Sequence, residues 1–361
     1  MRIVVKIGSS SLVSAAGELA HGRIAALVAD IATARAAGHD VIVVSSGAIA
    51  TGLGLLGYAT RPRELPALQA ASAVGQGALF ASWAQLLASH GLVAAQVLLT
   101  MHDASHRSSW VNARNTLEQL VAWGSVPIVN ENDTTATDEI TFGDNDTLAA
   151  QVAVSLNAEL LVLLTDTDGL YTEHPDSPGA ELIHTVDDHS LLHRIDTATS
   201  GSHWGSGGMR SKVIAAEMAS VGGTATFITD SSAEGVVSRL LAGEHIGTKV
   251  VADARRGSSF KLWLRYAKKA TGVVVVDEGA RNAIIDGGAS LLPIGIASVE
   301  GGFQAGDAVT VATEAGGEFA KGIVQYAASE INRLIAEKSR ARGAPEAIHR
   351  DQLVVYEAAP A

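Results

Sequence analysis

Cysteine is absent from all 361 residues, which excludes disulfides, a thiolate nucleophile and any cysteine-based zinc site. Basic residues are in the minority: 26 Lys and Arg against 38 Asp and Glu leave a net charge of −12. A surface of that sign is a poor electrostatic match for nucleic acid or for an anionic lipid face. A long uninterrupted apolar run is missing too. From Leu65 to His102 there is no Asp, Glu, Lys or Arg. Yet Gln69, Gln76, Gln85, His90 and three glycines break that stretch before it reaches the roughly 20 residues a membrane span needs. It reads as a buried Ala-rich helix followed by a strand. The opening MRIVVKIGSS meets a lysine before a signal-peptide core can form. A soluble, cytoplasmic protein is expected. Its 47% hydrophobic residues suffice for a real core spread over about two domains.

What is present is an alternation of short β-branched runs with helical stretches. Ile3–Ile7, Val41–Ser45, Ala94–Leu99, Val126–Asn130, Leu160–Thr165 and Thr224–Thr229 read as buried strands. His21–Ala37, Leu65–Ser89, His106–Trp123, Asp146–Leu156, Met209–Val221 and Ala233–Ala242 read as helices. This pattern predicts an α/β fold, a mostly parallel sheet sandwiched by helices. In such sheets ligands lie beyond the carboxyl ends of the strands, so the strand-to-helix junctions are the places to search.

Those junctions are rich in Gly, Ser and charge. Lys6 to Ser11 follows the first strand, Ser45 to Gly52 the second and Thr165 to Tyr171 the fifth, while Gly205 to Lys212 leads into a helix. Backbone N–H groups in such turns approach anions closely, and a helix start favours negative charge. Each turn alone is weak, and a strand-end lysine such as Lys6 is also an ordinary snorkelling residue. The Walker pattern, Gly-x-x-x-x-Gly-Lys-Ser/Thr, does not occur.

The most informative stretch is NENDTTATDEITFGDNDTLAA, Asn130 to Ala150. It holds Glu131, Asp133, Asp138, Glu139, Asp144 and Asp146 with no Lys or Arg among them. Crowded carboxylates raise one another's pKa unless something positive sits between them. The counter-charge must therefore come from elsewhere: a metal, a distant lysine or a cationic ligand. A solvated acidic loop is the bland alternative. The preceding apolar strand, the amides of Asn130, Asn132 and Asn145, and the new helix after Gly143 favour a ligand site. A sheet with glycine-rich turns, two lysines at its mouth and clustered carboxylates suits phosphoryl transfer, where catalysis is largely positioning and charge neutralisation.

Taken in order, VVKIGSSSL, VSSGAIATG, VNARNT, VNENDTTATDEITFGDND, LLTDTDGLY and SGGMRSK resemble the glutamate 5-kinases. These have the amino-acid kinase fold shared with acetylglutamate kinase, carbamate kinase, aspartokinase and bacterial uridylate kinase. The resemblance covers residues 1–247. It implies ATP-dependent phosphorylation of the γ-carboxylate of L-glutamate, the first step of proline biosynthesis. By motif position, Lys6, Gly8, Ser9, Thr165, Asp166, Ser206, Gly207, Gly208, Met209, Arg210, Ser211 and Lys212 would contact ATP. Ser46, Asp133 and Asn145 would hold glutamate, with its ammonium on Asp133. Lys6 and Lys212 would neutralise the transferring phosphoryl group, oriented by Asp146. Mg²⁺ is expected mainly on the ATP phosphates, with Asp144 and Asp146 as the protein groups nearest to hand. The resemblance also implies feedback inhibition by proline, a homo-oligomer, and hand-over of the acyl phosphate to a downstream reductase. A sister kinase for another carboxylate, or an RNA-binding or regulatory protein with a retired kinase domain, remains the alternative.

Beyond Gly247 the character changes. Residues 248–269 read as a basic linker, with Lys249, Arg255, Arg256, Lys261, Arg265, Lys268 and Lys269 against Asp253 alone. Residues 270–361 are β-rich; VDEGARNAIIDGGASLLPIGI and GDAVTV resemble a PUA domain, a small barrel common in RNA-modifying enzymes. Gly272–Ile285, Ile294–Val311 and Gly322–Tyr326 read as strands, with a helix opening at Asp277. Seven Lys and Arg against twelve Asp and Glu make this segment acidic, so nucleic acid is not the expected partner.

Overall fold

Strands that are apolar on both faces must be covered on both, because side chains alternate across a sheet. The computed structural model describes residues 1–14, 17–100, 103, 107–135, 144–188, 192, 208–253, 259–266, 268–337 and 343–356. The chain divides into two units, Met1–Gly257 and Ser258–Ala361. The first contains β1 Arg2–Ile7, β2 Asp40–Ser45, β3 Ala94–Leu99, β4 Val126–Glu131 and β5 Leu160–Thr165. A short ribbon follows, β6 Leu170–Tyr171 with β7 Leu182–Ile183, and then β8 Thr185–Val186, β9 Ala225–Asp230 and β10 Thr248–Val250. Eight of these strands form one sheet in the order β3-β4-β2-β1-β5-β9-β10-β8, parallel throughout except between β9 and β10.

The pleat of β1 sorts its residues. Ile3, Val5 and Ile7 join Val41, Val43, Val162 and Leu164 in a core under the helices His21–Ala36, Ala48–Leu55, Leu65–Ser89 and Val236–Leu241. Val4 and Lys6 point to the opposite face, where the helices Asp144–Ser155 and Met209–Val221 lie. The strands and helices read from the alternation in this unit all appear, with ends shifted by three residues at most.

Other elements are not legible in the pattern. Ala48–Leu55 is a helix, although its glycines give it the look of a loop. Gly52 to Gly57 even spells Gly-x-Gly-x-x-Gly, but it begins in the last turn of that helix and ends in the turn beyond, rather than between a strand and a helix start. The glycines serve packing instead. A Cβ on Gly52 would lie 1.8 Å from the Ala71 carbonyl oxygen, and one on Gly75 would lie 1.9 Å from that of Ala48. The helices Ala48–Leu55 and Leu65–Ser89 therefore cross with their backbones touching. The helix Val236–Leu241 is capped from a distance: buried Asp30 accepts from the backbone N–H of Val237 at 2.7 Å and of Ser238 at 3.0 Å, and from the Ser238 hydroxyl.

Two described segments within residues 248–269 are regular rather than linker. Thr248–Val250 is a strand of the large sheet and Ser259–Tyr266 a helix of the second unit. That unit carries β11 Gly272–Val276, β12 Ile296–Glu300, β13 Ala308–Thr313, β14 Glu318–Ile323 and β15 Leu353–Val355, in the order β12-β11-β13-β14-β15. The strand expected at Gly322–Tyr326 begins earlier, at Glu318, and Glu278–Ile285 is helical. Lys321 on β14 donates to the carbonyls of Arg265 at 3.1 Å and Lys268 at 3.0 Å, closing the helix Ser259–Tyr266 with a cation where the helix dipole favours one.

Candidate active site

The carboxyl ends of β1, β2, β4 and β5 bring the junctions together. Asp146, in the first turn of the helix Asp144–Ser155, is wholly buried beneath Lys6 and Lys212. Lys6 Nζ lies 2.5 Å from Asp146 Oδ1, and Lys212 Nζ 3.4 Å from Oδ2. The Ser211 hydroxyl donates to the same Oδ2 at 2.6 Å. Burial alone would raise the Asp146 carboxyl, but the charges of Lys212 and Lys6 and the hydrogen bonds from Lys6 and Ser211 outweigh it and hold the carboxyl at about 2. Burial pulls Lys6 below the ordinary lysine value against the attraction of Asp146, and Lys212 pushes the same way as burial. The result is two buried lysines on one buried aspartate, a site with a surplus positive charge. Lys6 is 3% exposed, which rules out the snorkelling reading.

A second group forms beside it. The Asn145 side-chain amide donates to Ser46 Oγ and to Asn130 Oδ1, each at 3.0 Å. Asn130 in turn donates to Gln76 Oε1 at 2.7 Å. Ser46 stands just before Gly47, whose φ of 103° is the left-handed conformation a glycine adopts without strain, and which starts the helix Ala48–Leu55. Ser45 is fixed from behind by the indole N–H of buried Trp83, 3.1 Å from its hydroxyl.

Asp133 is buried and accepts from the Ser72 hydroxyl at 2.7 Å. Burial raises its carboxyl above the usual range, opposed by that hydrogen bond and by the charge of Arg61. Arg61 is thus a cation for the acidic stretch, and it comes from the connection before the helix Leu65–Ser89. Ser72 and Gln76, one helical turn apart on that helix, reach Asp133 and Asn130 respectively. Nothing in the sequence marks Arg61 or Ser72 as site residues. The available signal is a pair of polar side chains at helical spacing in an otherwise apolar helix.

The nucleotide side is described in part. Gly8 and Ser9 begin the turn after β1, and Thr165 closes β5 with its hydroxyl 3.1 Å from Asp166 Oδ1. Gly208, Met209, Arg210, Ser211 and Lys212 open the helix Met209–Val221, with Arg210 exposed. Ser206, Gly207 and the side chain of Asp144 lie outside the described residues, as does 136–143. Among the described residues no three acidic or histidine side chains converge as a metal cage. Both oxygens of Asp146 already face lysines.

Residues 1–230 match the model of the amino acid kinase family, and residues 272–341 that of the PUA domain. A "Glutamate 5-kinase" of Streptomyces coelicolor is 46% identical, over 98% of this chain and 96% of its own length. The chain belongs to the glutamate 5-kinases. Proteins of the same name from Anaeromyxobacter dehalogenans and Cupriavidus metallidurans are 42% and 43% identical, over 99% and 98% of this chain and 96% and 97% of theirs. In this member of the glutamate 5-kinases, likeness therefore extends across both units. No helix among the described residues is long and apolar enough to cross a membrane.

Proposed function

We propose that the chain transfers the γ-phosphoryl group of ATP to the γ-carboxylate of L-glutamate, giving L-glutamyl 5-phosphate and ADP, the first step of proline biosynthesis. The observation that carries this reading to particular residues is the buried Lys6–Asp146–Lys212 cluster at the mouth of the sheet. The acceptor carboxylate, with a pKa near 4.3, is already ionised at neutral pH, so no general base is required. One carboxylate oxygen forms the new P–O bond as the bond from the γ-phosphorus to the ADP oxygen breaks. Charge accumulates on the transferring group and the leaving oxygen, and the surplus cation of the cluster neutralises it. Asp146 holds the two ammonium groups in place rather than acting as a base, since a carboxyl at about 2 does not take a proton at neutral pH.

Ser46, Asp133 and Asn145 hold glutamate, with Asp133 on the ammonium. Gly8, Ser9, Thr165, Asp166 and residues 206–212 receive ATP. Mg²⁺ arrives as part of the MgATP substrate; the engagement of both Asp146 oxygens by lysines makes that carboxylate a poor metal ligand. Proline inhibition, a homo-oligomer, a cytoplasmic setting and transfer of the reactive acyl phosphate to a reductase complete the reading.

The test is ATP turnover with L-glutamate, aspartate, N-acetylglutamate and carbamate in turn. Turnover dependent on glutamate alone is expected; turnover with another acceptor and none with glutamate would refute the assignment. Lys212→Ala should then lower kcat by about 10²–10³ with little change in glutamate KM. A variant keeping a third of the wild-type kcat would remove Lys212 from the chemistry.

A further inference from the structure

A chain of buried amides runs from the helix Leu65–Ser89 into the substrate pocket, and each link has a direction. Gln76 Oε1 accepts from Asn130 Nδ2 at 2.7 Å. The Glu131 backbone N–H, which can only donate, gives to Asn130 Oδ1 at 2.9 Å, so the two contacts together fix the Asn130 amide, and the same Oδ1 accepts from Asn145 Nδ2 at 3.0 Å. Asn145 has two side-chain protons, and its Nδ2 is shared among Asn130 Oδ1, Ser46 Oγ at 3.0 Å and the Ser45 carbonyl at 3.5 Å. Two consequences follow at the pocket end. Asn145 Oδ1 is buried and has no hydrogen-bond partner among the described residues. Ser46 Oγ receives a hydrogen bond, so its own proton is left to be donated.

We propose that Gln76 is a positioning residue for glutamate: with the Glu131 backbone N–H it holds Asn130 in one orientation, so that the pocket presents Asn145 Oδ1 as an acceptor and the Ser46 hydroxyl as a donor. The inference rests on the assignment of Ser46 and Asn145 to glutamate binding made above. An α-amino acid supplies what this polarity lacks, an ammonium for the acceptor and a carboxylate for the donor. Reversal of the Asn145 amide would turn its N–H₂ toward the ammonium, a donor facing a donor. The position suits the role: Gln76 and Asn130 are 9% and 2% exposed, so solvent does not compete for their hydrogen bonds. Gln76 touches neither reacting atom, which separates it from a catalytic residue.

Two substitutions separate the acceptor from the bulk. Gln76→Met keeps the length of the side chain and removes the acceptor, whereas Gln76→Glu keeps an acceptor oxygen for Asn130. Steady-state kinetics on full-length enzyme, with thermal melting to confirm folding, should show glutamate KM raised about tenfold in Q76M. The KM for ATP and the kcat at saturating glutamate should stay within threefold. Q76E should recover most of the glutamate affinity. Discrimination between L-glutamate and glutarate, which lacks the ammonium, should shrink in Q76M and persist in Q76E. Equal losses in both variants would mean that Gln76 matters through packing alone, and a Q76M enzyme with wild-type glutamate KM would also overturn the proposal. Failure of wild-type enzyme to use glutamate is a different result, because it removes the underlying assignment as well.

Discussion

Asp133 and Asp146 stand thirteen positions apart in one acidic stretch, yet their surroundings push their carboxyls in opposite directions. Asp146 sits between two lysines and falls to about 2, while buried Asp133 rises despite Ser72 and Arg61. The sign for Asp146 follows from linkage. Its folded value lies below the usual 3.8, so its stabilisation is complete above about pH 4 and is lost as pH falls toward 2. The shift corresponds to about 2–3 kcal/mol at neutral pH. Urea midpoints for wild type and Asp146→Asn should therefore converge as the pH is lowered from 5 to about 2. A gap that stays constant would show that the ion pairs add no stability. For Asp133 the raised value predicts that glutamate KM climbs on acidification at a pH above the ordinary aspartate range, and that Asp133→Asn abolishes this dependence. The same variant tests the inhibitor. Proline shares the ammonium and α-carboxylate of glutamate, so a common pocket predicts that glutamate and proline both weaken, each by roughly ten- to a hundredfold. Wild-type proline inhibition beside a collapse of glutamate binding would place proline elsewhere.

At the scale of elements, what the sequence shows is local and what it hides is tertiary. The apolar runs around Val5, Val43 and Val162 announce a covered parallel sheet because nothing else tolerates such strands. The acidic stretch announces a missing cation because its charges cannot balance one another. Which cation answers is another matter: Lys6 and Lys212 come from opposite ends of the first unit, and Arg61 lies 72 positions before Asp133. Ala48–Leu55 is obscured because its glycines, chosen for a backbone crossing, look like those of a turn. Thr248–Val250 is obscured because basic neighbours give a short strand the composition of a linker. Asp30 is unremarkable in its own helix and acquires meaning only as the cap of another. Asp30→Ala leaves the first N–H groups of Val236–Leu241 unpaired and should destabilise the first unit by about 1–3 kcal/mol. Asp30→Asn should recover part of this in a denaturant titration, and a neutral Asp30→Ala would show that the cap is dispensable.

For the molecule as a whole, every residue assigned to ATP or glutamate lies before position 213, within the first unit. A chain ending at Gly257 should keep glutamate-dependent turnover within about threefold, since every residue assigned to the site lies in that unit. Ending it at Gly247 removes β10 from the sheet and should cost stability, read as a lower melting temperature. Inactivity of a folded 1–257 chain would mean that the second unit contributes to catalysis.

The placement of β1 also has a consequence in time. As the central strand it needs β2, which follows within forty-five residues, and β5, which ends only at Thr165. Lys6 needs Asp146, and Asp146 needs Lys212. At about 5–20 residues per second a ribosome takes roughly 10–40 s to reach position 212. Until β5 is made one edge of β1 is open, and until position 212 is reached the second lysine of the cluster is missing. A nascent chain of this enzyme is therefore a bare strand edge waiting for its neighbour, and it is at this stage, rather than in the finished fold, that a chaperone has most to hold.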